Sequence, residues 1–297
     1  MELKQLRIFL AVAEELHFGR AAERLHMAQP ALSTQVRSLE ERLGVPLFAR
    51  TTRRVSLTRT GEAFLPEAKA TVAQAEAAMR VARQVAGDRS ELLKIGGIDS
   101  ATAGLLPGVI RAFRREHPHV EIRVEEMLSA PALHGLEHRQ LDIVFGRLPK
   151  RAELFHSRHV LREELVAVLP HDHPLAARET LTIDDLVHEP LVLPSRSHRP
   201  ILMSVIESWF AAHGHEPRVR QAANERHMIV AMVAAGLGIS ITPAWLRGFG
   251  RADVAYRPLE GAPHVDTHAH WRRDETFAAV GDFVAHLPTM PHRPETA

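Results

Sequence analysis

Short polar side chains share one face of a predicted helix over residues 28–43. At helical spacing, the face opposite an apolar stripe carries Gln29, Pro30, Ser33, Thr34 and Arg37. Serine and threonine hydroxyls can donate to phosphates or base edges, a glutamine amide can pair bidentately with adenine, and an arginine can reach a phosphate or a guanine. The pattern therefore predicts a recognition helix that reads double-stranded DNA.

A second set of polar residues follows predicted strands farther along the chain. Six residues lie just after such a strand or open the next helix: Ser100, Thr102, Ser129, Arg147, Pro200 and Ile201. Ligands of open α/β sheets bind beyond the carboxyl ends of the strands, where helix N-termini present free amides to anions. The six residues could line a cleft for a carboxylate, with Arg147 supplying charge. For each serine or threonine alone, a simple helix cap is an equally good interpretation.

Histidines give a third candidate chemistry. His134 and His138 lie four residues apart on a predicted helix, and a predicted strand alternates His264, Asp266, His268 and His270. The run HGLEH at 134–138 places its glutamate wrongly for the zinc-protease motif HExxH. Solvated histidines with a pH-sensitive charge explain both sets as well as a metal does. We assign no metal site and keep a metal-dependent enzyme only as the alternative.

Two helices and a tight turn position the DNA-reading residues. The second helix buries a stripe of Leu32, Val36, Leu39 and Leu43. The first, near residues 18–25, offers Ala21, Ala22 and Leu25 as a small contact surface, and His26 and Met27 make the turn. Alanine-rich helix pairs are far commoner than DNA-reading ones, so the pair alone does not decide the function.

A basic hairpin after Gly44 favours DNA binding. Short strands are predicted near residues 46–48 and 55–57, with Arg50, Arg53 and Arg54 at the tip between them. Such a wing would lay its cations along phosphates and into the minor groove. Residues 1–60 hold ten Lys and Arg against six Glu, an excess of four, whereas the whole chain carries only +1. Positive charge is therefore concentrated where DNA would bind.

A long helix is predicted from Thr58 to about Gly87, with Thr60 as its candidate cap. Apolar residues spaced by four and three form a heptad seam: Phe64, Ala68, Val72, Ala75, Met79, Ala82 and Ala86. The seam continues beyond the winged segment and ends at the polar run GDRSE, residues 87–91. It indicates pairing with a second helix, against the alternative of a surface helix packed on its own domain.

Strands and helices alternate from Leu92 onward. Strands are predicted over 92–98, 120–127, 141–146, 164–170, 190–194, 216–223, 238–243 and 266–271. Helices are predicted over 105–116, 132–139, 183–186, 201–213, 226–235 and 275–286. The order indicates an open α/β sheet in two similar lobes, to the first of which the chain returns.

Composition narrows the function classes. The 297 residues are 45% hydrophobic and contain no Cys, which excludes disulfides, thiolate metal sites and a thiol nucleophile. No signal peptide and no membrane-length apolar run is recognised, so we expect a cytoplasmic protein. The motifs GxSxG, GxGxxG and the P-loop are missing from the sequence, so nothing supports the corresponding enzymes, and we expect no cofactor.

The run FGRAAERLHMAQPALSTQVRSLEERLGVPLFARTTRRVSLTRTGEAFL resembles the winged helix-turn-helix of LysR-type transcriptional regulators. GLLPGVIRAFRREHPHVEIRVEEM and DIVFGRL are similar to the branch that controls aromatic-compound catabolism in response to muconate, benzoate or their relatives. The resemblance implies a linker helix that pairs DNA-binding domains into a dimer, two dimers making a tetramer. It also implies a two-lobed periplasmic-binding-protein-like effector domain, in which Ser100, Ser129 and Arg147 contribute to or border the effector site.

The combined expectation is an α/β protein with an N-terminal all-α winged helix-turn-helix. Its domains would be the DNA-binding domain at 1–58, the linker helix at 59–88 and the effector domain at 89–297. In the last, lobe I would comprise about 89–161 and 266–297, and lobe II about 162–265. We expect a regulator, not an enzyme, whose partners are operator DNA, a small effector such as muconate or an aromatic acid, RNA polymerase and further copies of itself.

Overall fold

The computed structural model describes residues 1–50, 55–85, 91–147 and 154–290. The chain divides into two compact units. One comprises Met1–Glu91 with His134–Asp142, and the other comprises Leu92–Leu133 with Ile143–Ala297.

Three helices form the core of the first unit: α1 (Leu3–Glu15), α2 (Phe18–Arg24) and α3 (Gln29–Leu43). The predicted helix pair and its turn are confirmed. Leu32, Val36 and Leu39 are fully buried, but Leu43 is 37% exposed, so its assignment to the stripe was wrong. Leu43 lies in the last turn, directly before Gly44 turns the chain away in a left-handed conformation, and Leu47 is buried instead.

A short hairpin follows, formed by β1 (Phe48–Arg50) and β2 (Val55–Leu57). The strands are antiparallel, with Phe48 opposite Leu57 and Arg50 opposite Val55. The second strand was predicted correctly, whereas the first begins two residues later than predicted. Pro46 has no amide to donate, and the amides of Leu47 and Phe48 donate to Glu40 Oε1 at 2.8 and 3.1 Å.

The long helix α4 spans Arg59–Val85. Its cap is Thr58 and not the predicted Thr60, because the Gly61 amide donates to Thr58 Oγ1 at 3.0 Å. That hydroxyl also donates to the Pro46 carbonyl at 2.8 Å. A β-carbon at Gly61 would lie 2.1 Å from the Leu47 carbonyl oxygen, so this first turn requires glycine.

The heptad seam of α4 divides into two halves. Phe64, Ala68 and Val72 pack in the hydrophobic core of their own unit, so the prediction that the whole seam meets a partner helix was wrong. Helix α1 and α4 pack together within this unit, which explains the burial of that half. Ala75 is half-buried, Met79 and Ala82 are exposed, and Ala86 lies outside the described residues.

In the second unit, lobe I is built on a five-stranded sheet in the order β4-β3-β5-β12-β6. Its strands are β3 (Glu91–Gly97), β4 (Val120–Glu126), β5 (Ile143–Gly146), β6 (Phe155–Glu163) and β12 (Val265–Arg272). Strands β3 and β5 are parallel, whereas β12 is antiparallel to β5 and β6. Helices α5 (Leu106–Glu116) and α10 (Ala278–Ala285) accompany them, as does the part of α6 (Ser129–Glu137) up to Leu133. Phe113, Phe145 and Phe283 are fully buried in the core of this lobe.

Lobe II contains a three-stranded antiparallel sheet in the order β10-β7-β11 and a parallel pair β8-β9. Its strands are β7 (Leu165–Pro170), β8 (Leu191–Leu193), β9 (Val219–Ala222), β10 (Ser240–Pro243) and β11 (Val254–Pro258). Its helices are α7 (Ile183–Leu186), α8 (Pro200–Ala212) and α9 (Arg226–Ala234). The core includes Leu169, Leu193 and Phe210.

The predicted alternation of strands and helices is largely confirmed, with two strands missed. Strands β6 and β11 lack strict polar and apolar alternation. Helix α6 begins at Ser129 and not at 132, and α10 begins at Ala278 and not at 275. Glu275 instead accepts the amides of Thr276 and Phe277, which precede the helix. No helix in the described part of the chain has the length and apolarity that crossing a membrane requires.

Candidate DNA-binding surface and effector cavity

The predicted DNA-reading side chains lie together on α3. Gln29, Pro30, Thr34 and Arg37 are exposed, and Ser33 is half-buried. The helix begins without a side-chain cap, since its N-cap is Ala28, and Pro30 lies in the first turn. Free amides and polar side chains are therefore at the same end of the helix, where phosphate oxygens are favoured acceptors.

The polar residues on and near this surface differ in whether they already form a hydrogen bond or an ion pair within the protein. Thr34 Oγ1 donates to the Pro30 carbonyl at 2.9 Å, which ties its proton to the helix backbone. Arg24 lies 2.6 Å from Glu14, and Arg20 lies 3.2 Å from Glu15. By contrast, Arg37 forms no ion pair with any residue that the structure describes. Arg37 is therefore the cation among the predicted DNA-reading residues of α3 that is available to an external anion.

The predicted wing cations lie at the edge of what is described. Arg50 is the last residue of β1, opposite Val55. Arg53, Arg54 and the side chain of Arg50 lie outside the described residues, and their contacts with DNA stay a prediction.

A cavity of about 470 Å³ lies between lobe I and lobe II, and we call it the first cavity. Four of the six predicted effector residues line it: Ser129, Arg147, Pro200 and Ile201. Apolar neighbours include Ile98, Leu128, Leu133 and Leu202. Ser129 Oγ accepts the Arg147 amide at 3.2 Å and thereby joins the start of α6 to the end of β5.

The other two predicted residues do not line the first cavity. Ser100 is fully buried and its hydroxyl has no hydrogen-bond partner among the described residues, whereas Thr102 Oγ1 donates to the Asp99 carbonyl at 3.3 Å. A π-helical turn over Ser100–Leu105 separates β3 from α5 at this point, and Asp99 caps it by accepting the Ser100 amide at 2.9 Å. The Thr102 hydroxyl is therefore bound within its own helical turn, and the Ser100 hydroxyl is buried away from the first cavity.

Two arginines of lobe II hold one aspartate of lobe I, and we call Asp99, Arg199 and Arg226 the Asp99 cluster. Arg199 Nη2 lies 2.9 Å from Asp99 Oδ2, to which Arg226 Nε also donates. Beside the cluster, Arg147 Nη2 donates to Glu163 Oε2 at 2.9 Å. All five side chains are at least nine-tenths buried.

The charge of this region does not balance, since three guanidinium groups face two carboxyl groups. Burial disfavours the ionised form of Asp99, but the charges of Arg226 and Arg199 outweigh it and lower its pKa. Burial raises the pKa of Glu163, even though Arg147 opposes that shift. The cleft therefore carries at least one positive charge in excess, and an anion would relieve it.

Two helix starts strengthen the attraction for an anion. The first turn of α6 supplies Ser129, Ala130 and Pro131 to the first cavity, and the first turn of α8 supplies Pro200, Ile201 and Leu202. Pro131 and Pro200 have no N–H, but the other amides of a first helical turn have no acceptor within their helix, and the helix dipole is positive at that end.

Sequence reasoning missed Asp99, Arg199, Arg226 and Glu163. Arg199 directly precedes α8, and Arg226 is the first residue of α9 after β9. The rule that selected Pro200, a polar or opening position between a strand and a helix, applies equally to both arginines. Glu163 gave no such signal, because β6 itself was not predicted.

The histidine sets bind their own neighbours. His134 and His138 stack with ring centroids 4.0 Å apart, while Asp266 receives two 2.8 Å bonds from Arg162. His270 is buried, and His264 is exposed. In the described ranges, no group of three or more His, Cys, Asp or Glu side chains could hold a metal ion.

Comparison with known proteins identifies both parts of the chain. Residues 3–62 match the family model "Bacterial regulatory helix-turn-helix protein, lysR family", and residues 86–290 match "LysR substrate binding domain". The chain is 35% identical to the Hca operon transcriptional activator HcaR of Escherichia coli K12, covering 96% of both chains. It is 36% identical to the regulator CatR of Pseudomonas putida, covering 87% of this chain and 88% of CatR.

A solved structure with DNA is also similar. Full-length CbnR in complex with its target DNA shares 27% identity and a TM-score of 0.79, covering 97% of this chain and 99% of CbnR.

Proposed function

Because this chain belongs to the LysR family of bacterial transcriptional regulators, with a DNA-binding and an effector-binding domain, we propose that a carboxylate in the first cavity switches transcription. The regulator would bind its operator through the exposed face of α3 and the wing. An effector would change the relative stability of two arrangements of the assembly, and the altered assembly would change the access of RNA polymerase to the promoter.

One observation carries the choice of a carboxylate. The lining of the first cavity contains Arg147 and Arg199 and no acidic side chain among the residues the structure describes. Both arginines keep a buried Nε–H without a hydrogen-bond partner in the described chain. Unsatisfied guanidinium donors beside helix starts favour an anion that accepts two hydrogen bonds.

The size and the apolar walls narrow the effector class. A volume of about 470 Å³ suits a small organic molecule, and Ile98, Leu128 and Ile201 favour a hydrocarbon or planar body. Muconate, with two carboxylates, and aromatic acids fit this description. The likeness to CatR supports testing them first.

Assembly would use the exposed half of α4. Ala75, Met79 and Ala82 continue the seam beyond the residues that pack in the first unit, and Met79 is 42% exposed. We propose that this half pairs with a second copy and that two dimers form a tetramer. Met79→Asp should then halve the mass measured by light scattering, and an unchanged mass would contradict the pairing.

The effector proposal is tested on the full chain by ligand-dependent unfolding. All three tryptophans, Trp209, Trp245 and Trp271, follow residue 91, so their fluorescence reports on the effector-binding unit. A true effector at one hundred times its dissociation constant should stabilise that unit by about 2.7 kcal/mol.

Two exposed alanines provide matched variants. Ala130 lines the first cavity, and Ala103 lines a different cavity of the same unit. Ala130→Phe should abolish the stabilisation by muconate or the active aromatic acid, whereas Ala103→Phe should preserve it. Stabilisation that survives Ala130→Phe would place the effector elsewhere.

A further inference from the structure

A second cavity of about 410 Å³ also lies between lobe I and lobe II. It is lined by all three residues of the Asp99 cluster, and Arg199 is the one residue that it shares with the first cavity. Its apolar surface comes from Trp245, Tyr256, Val230 and Leu246. Unlike the first cavity, it combines aromatic walls with charges of both signs.

A buried guanidinium supplies its unsatisfied donors. Arg226 is 8% exposed; its Nε donates to Asp99, and its Nη1 donates to Thr242 Oγ1 at 3.0 Å. Its Nη2 is buried without a hydrogen-bond partner among the described residues. The Arg226 Cζ atom lies 6.0 Å from the Trp245 ring centroid, so an acceptor bound to Nη2 would sit near an aromatic wall. A carboxylate is the acceptor that matches such a donor best.

Two carboxylates give the second cavity negative charges that can attract a cation. Glu126, at the end of β4, and Glu225, the N-cap residue of α9, are exposed and line this cavity. Neither forms an ion pair or a side-chain hydrogen bond with any described residue. Unpaired carboxylates beside an aromatic wall attract an ammonium group.

The lining has a balanced formal charge. Three arginines are present, Arg199, Arg226 and Arg251, against three acids, Asp99, Glu126 and Glu225. Arg251 is already held by Asp253 through bonds of 2.9 and 2.6 Å. With Arg251 set aside, two arginines face three acids, so a ligand that carries separated charges of both signs fits this cavity, whereas a dianion would be repelled by Glu126 and Glu225.

We infer that the second cavity binds a zwitterion, namely an α-amino acid with an aromatic or large apolar side chain. Its carboxylate would accept from Arg226 Nη2, its ammonium group would face Glu225 and Glu126, and its side chain would lie against Trp245 and Tyr256. This inference does not depend on which ligand occupies the first cavity.

Isothermal titration of the full chain tests it with three probes that share one ring. L-Phenylalanine carries both charges, phenethylamine lacks the carboxylate, and 3-phenylpropanoate lacks the ammonium group. L-Phenylalanine should bind, and L-tryptophan and L-leucine test other apolar side chains. Phenethylamine and 3-phenylpropanoate should each bind at least tenfold more weakly than L-phenylalanine. Absence of saturable binding by all three amino acids, or equal binding of 3-phenylpropanoate, would overturn the inference.

Variants locate the site. Ala103→Phe should fill the second cavity and abolish L-phenylalanine binding, whereas Ala130→Phe in the first cavity should leave it unchanged. Glu225→Gln keeps the shape of an exposed side chain, so it tests charge without threatening the fold. It should weaken L-phenylalanine at least fivefold and leave 3-phenylpropanoate unchanged or tighter; an equal loss for both probes, or loss of binding only in Ala130→Phe, contradicts the site.

Discussion

The arginines of α3 and the arginines of the Asp99 cluster carry the same charge in opposite settings. Arg37 is exposed and forms no ion pair with a described residue, so its charge is screened by salt and available to a phosphate. Arg199 and Arg226 are nine-tenths buried and hold Asp99 at fixed geometry. The contrast separates two settings of charge: an exposed cation that can attract an anionic polymer over a distance, and buried cations whose remaining donors are held at fixed positions.

The largest effect should come from removing the buried carboxylate. Asp99→Asn leaves Arg199 and Arg226 buried without their counter-charge, which should destabilise the effector-binding unit by about 3–5 kcal/mol. Urea unfolding followed by tryptophan fluorescence measures this loss. The control is Asp253→Asn, which breaks the exposed pair with Arg251 and should change stability far less. Equal losses in the two variants would erase the distinction between buried and exposed charge.

The loss of folding stability in Asp99→Asn should depend on pH. The folded-state pKa of Asp99 is lowered, so its contribution is present above the unfolded pKa of about 3.9 and is lost as pH falls through the folded value. The difference between wild type and Asp99→Asn should therefore be largest from pH 5 to 7 and shrink below about pH 4. A difference that is independent of pH would mean that the aspartate charge is not what stabilises the cluster.

The contrast between buried and exposed groups extends to His270, because burial disfavours its charged form. Burial and the nearby His268 lower the pKa of His270 to about 4. Because the unfolded histidine titrates near 6.5, the protonation of His270 should by itself lower folding stability by about 3 kcal/mol as pH drops from 7 to 4. His270→Leu should remove most of this fall, while the exposed His264→Leu should keep it. Parallel pH profiles for wild type and His270→Leu would contradict the assignment.

Local sequence patterns predicted the positions that depend on neighbours in the chain. The stripe of α3 and the residues Ser129, Pro200 and Ile201 could be found because helix period and strand-to-helix boundaries are local features. The prediction that Leu43 is buried in the stripe was wrong because its burial depends on where the core ends. A short stretch of sequence does not contain that information.

The Asp99 cluster could not be predicted in the same way. Arg226 is separated from Asp99 by 127 residues, and their contact exists only because lobe II meets lobe I at that place. The prediction for the heptad seam of α4 was wrong for a related reason. Its spacing identified an apolar face correctly but could not say that Phe64, Ala68 and Val72 face their own unit.

For the exposed charge of α3, the prediction concerns the contribution of Arg37 to DNA binding. Arg37→Ala should weaken binding to all DNA sequences and lower the slope of log affinity against log salt by about one unit for each phosphate that the arginine neutralises. Arg24→Ala is the matched control, because its guanidinium already lies 2.6 Å from Glu14. Mobility-shift titrations at several salt concentrations measure both. A larger slope change for Arg24→Ala would mean that ion pairing does not decide which arginine meets DNA.

The smallest effect is expected at Thr34, although it is exposed on the same face of α3. A phosphate oxygen only accepts hydrogen bonds, and the Thr34 proton is already donated to the Pro30 carbonyl. Thr34→Ala should therefore change affinity for a selected operator less than about threefold, well below the roughly 1–3 kcal/mol of a direct base contact. Selection from random duplexes should return the same preferred sequence for both proteins. A changed base preference would show that Thr34 contacts a base, either by leaving its helix partner or by accepting from a base amino group while it keeps that partner, and exposure alone would then predict contact better than hydrogen-bond engagement does.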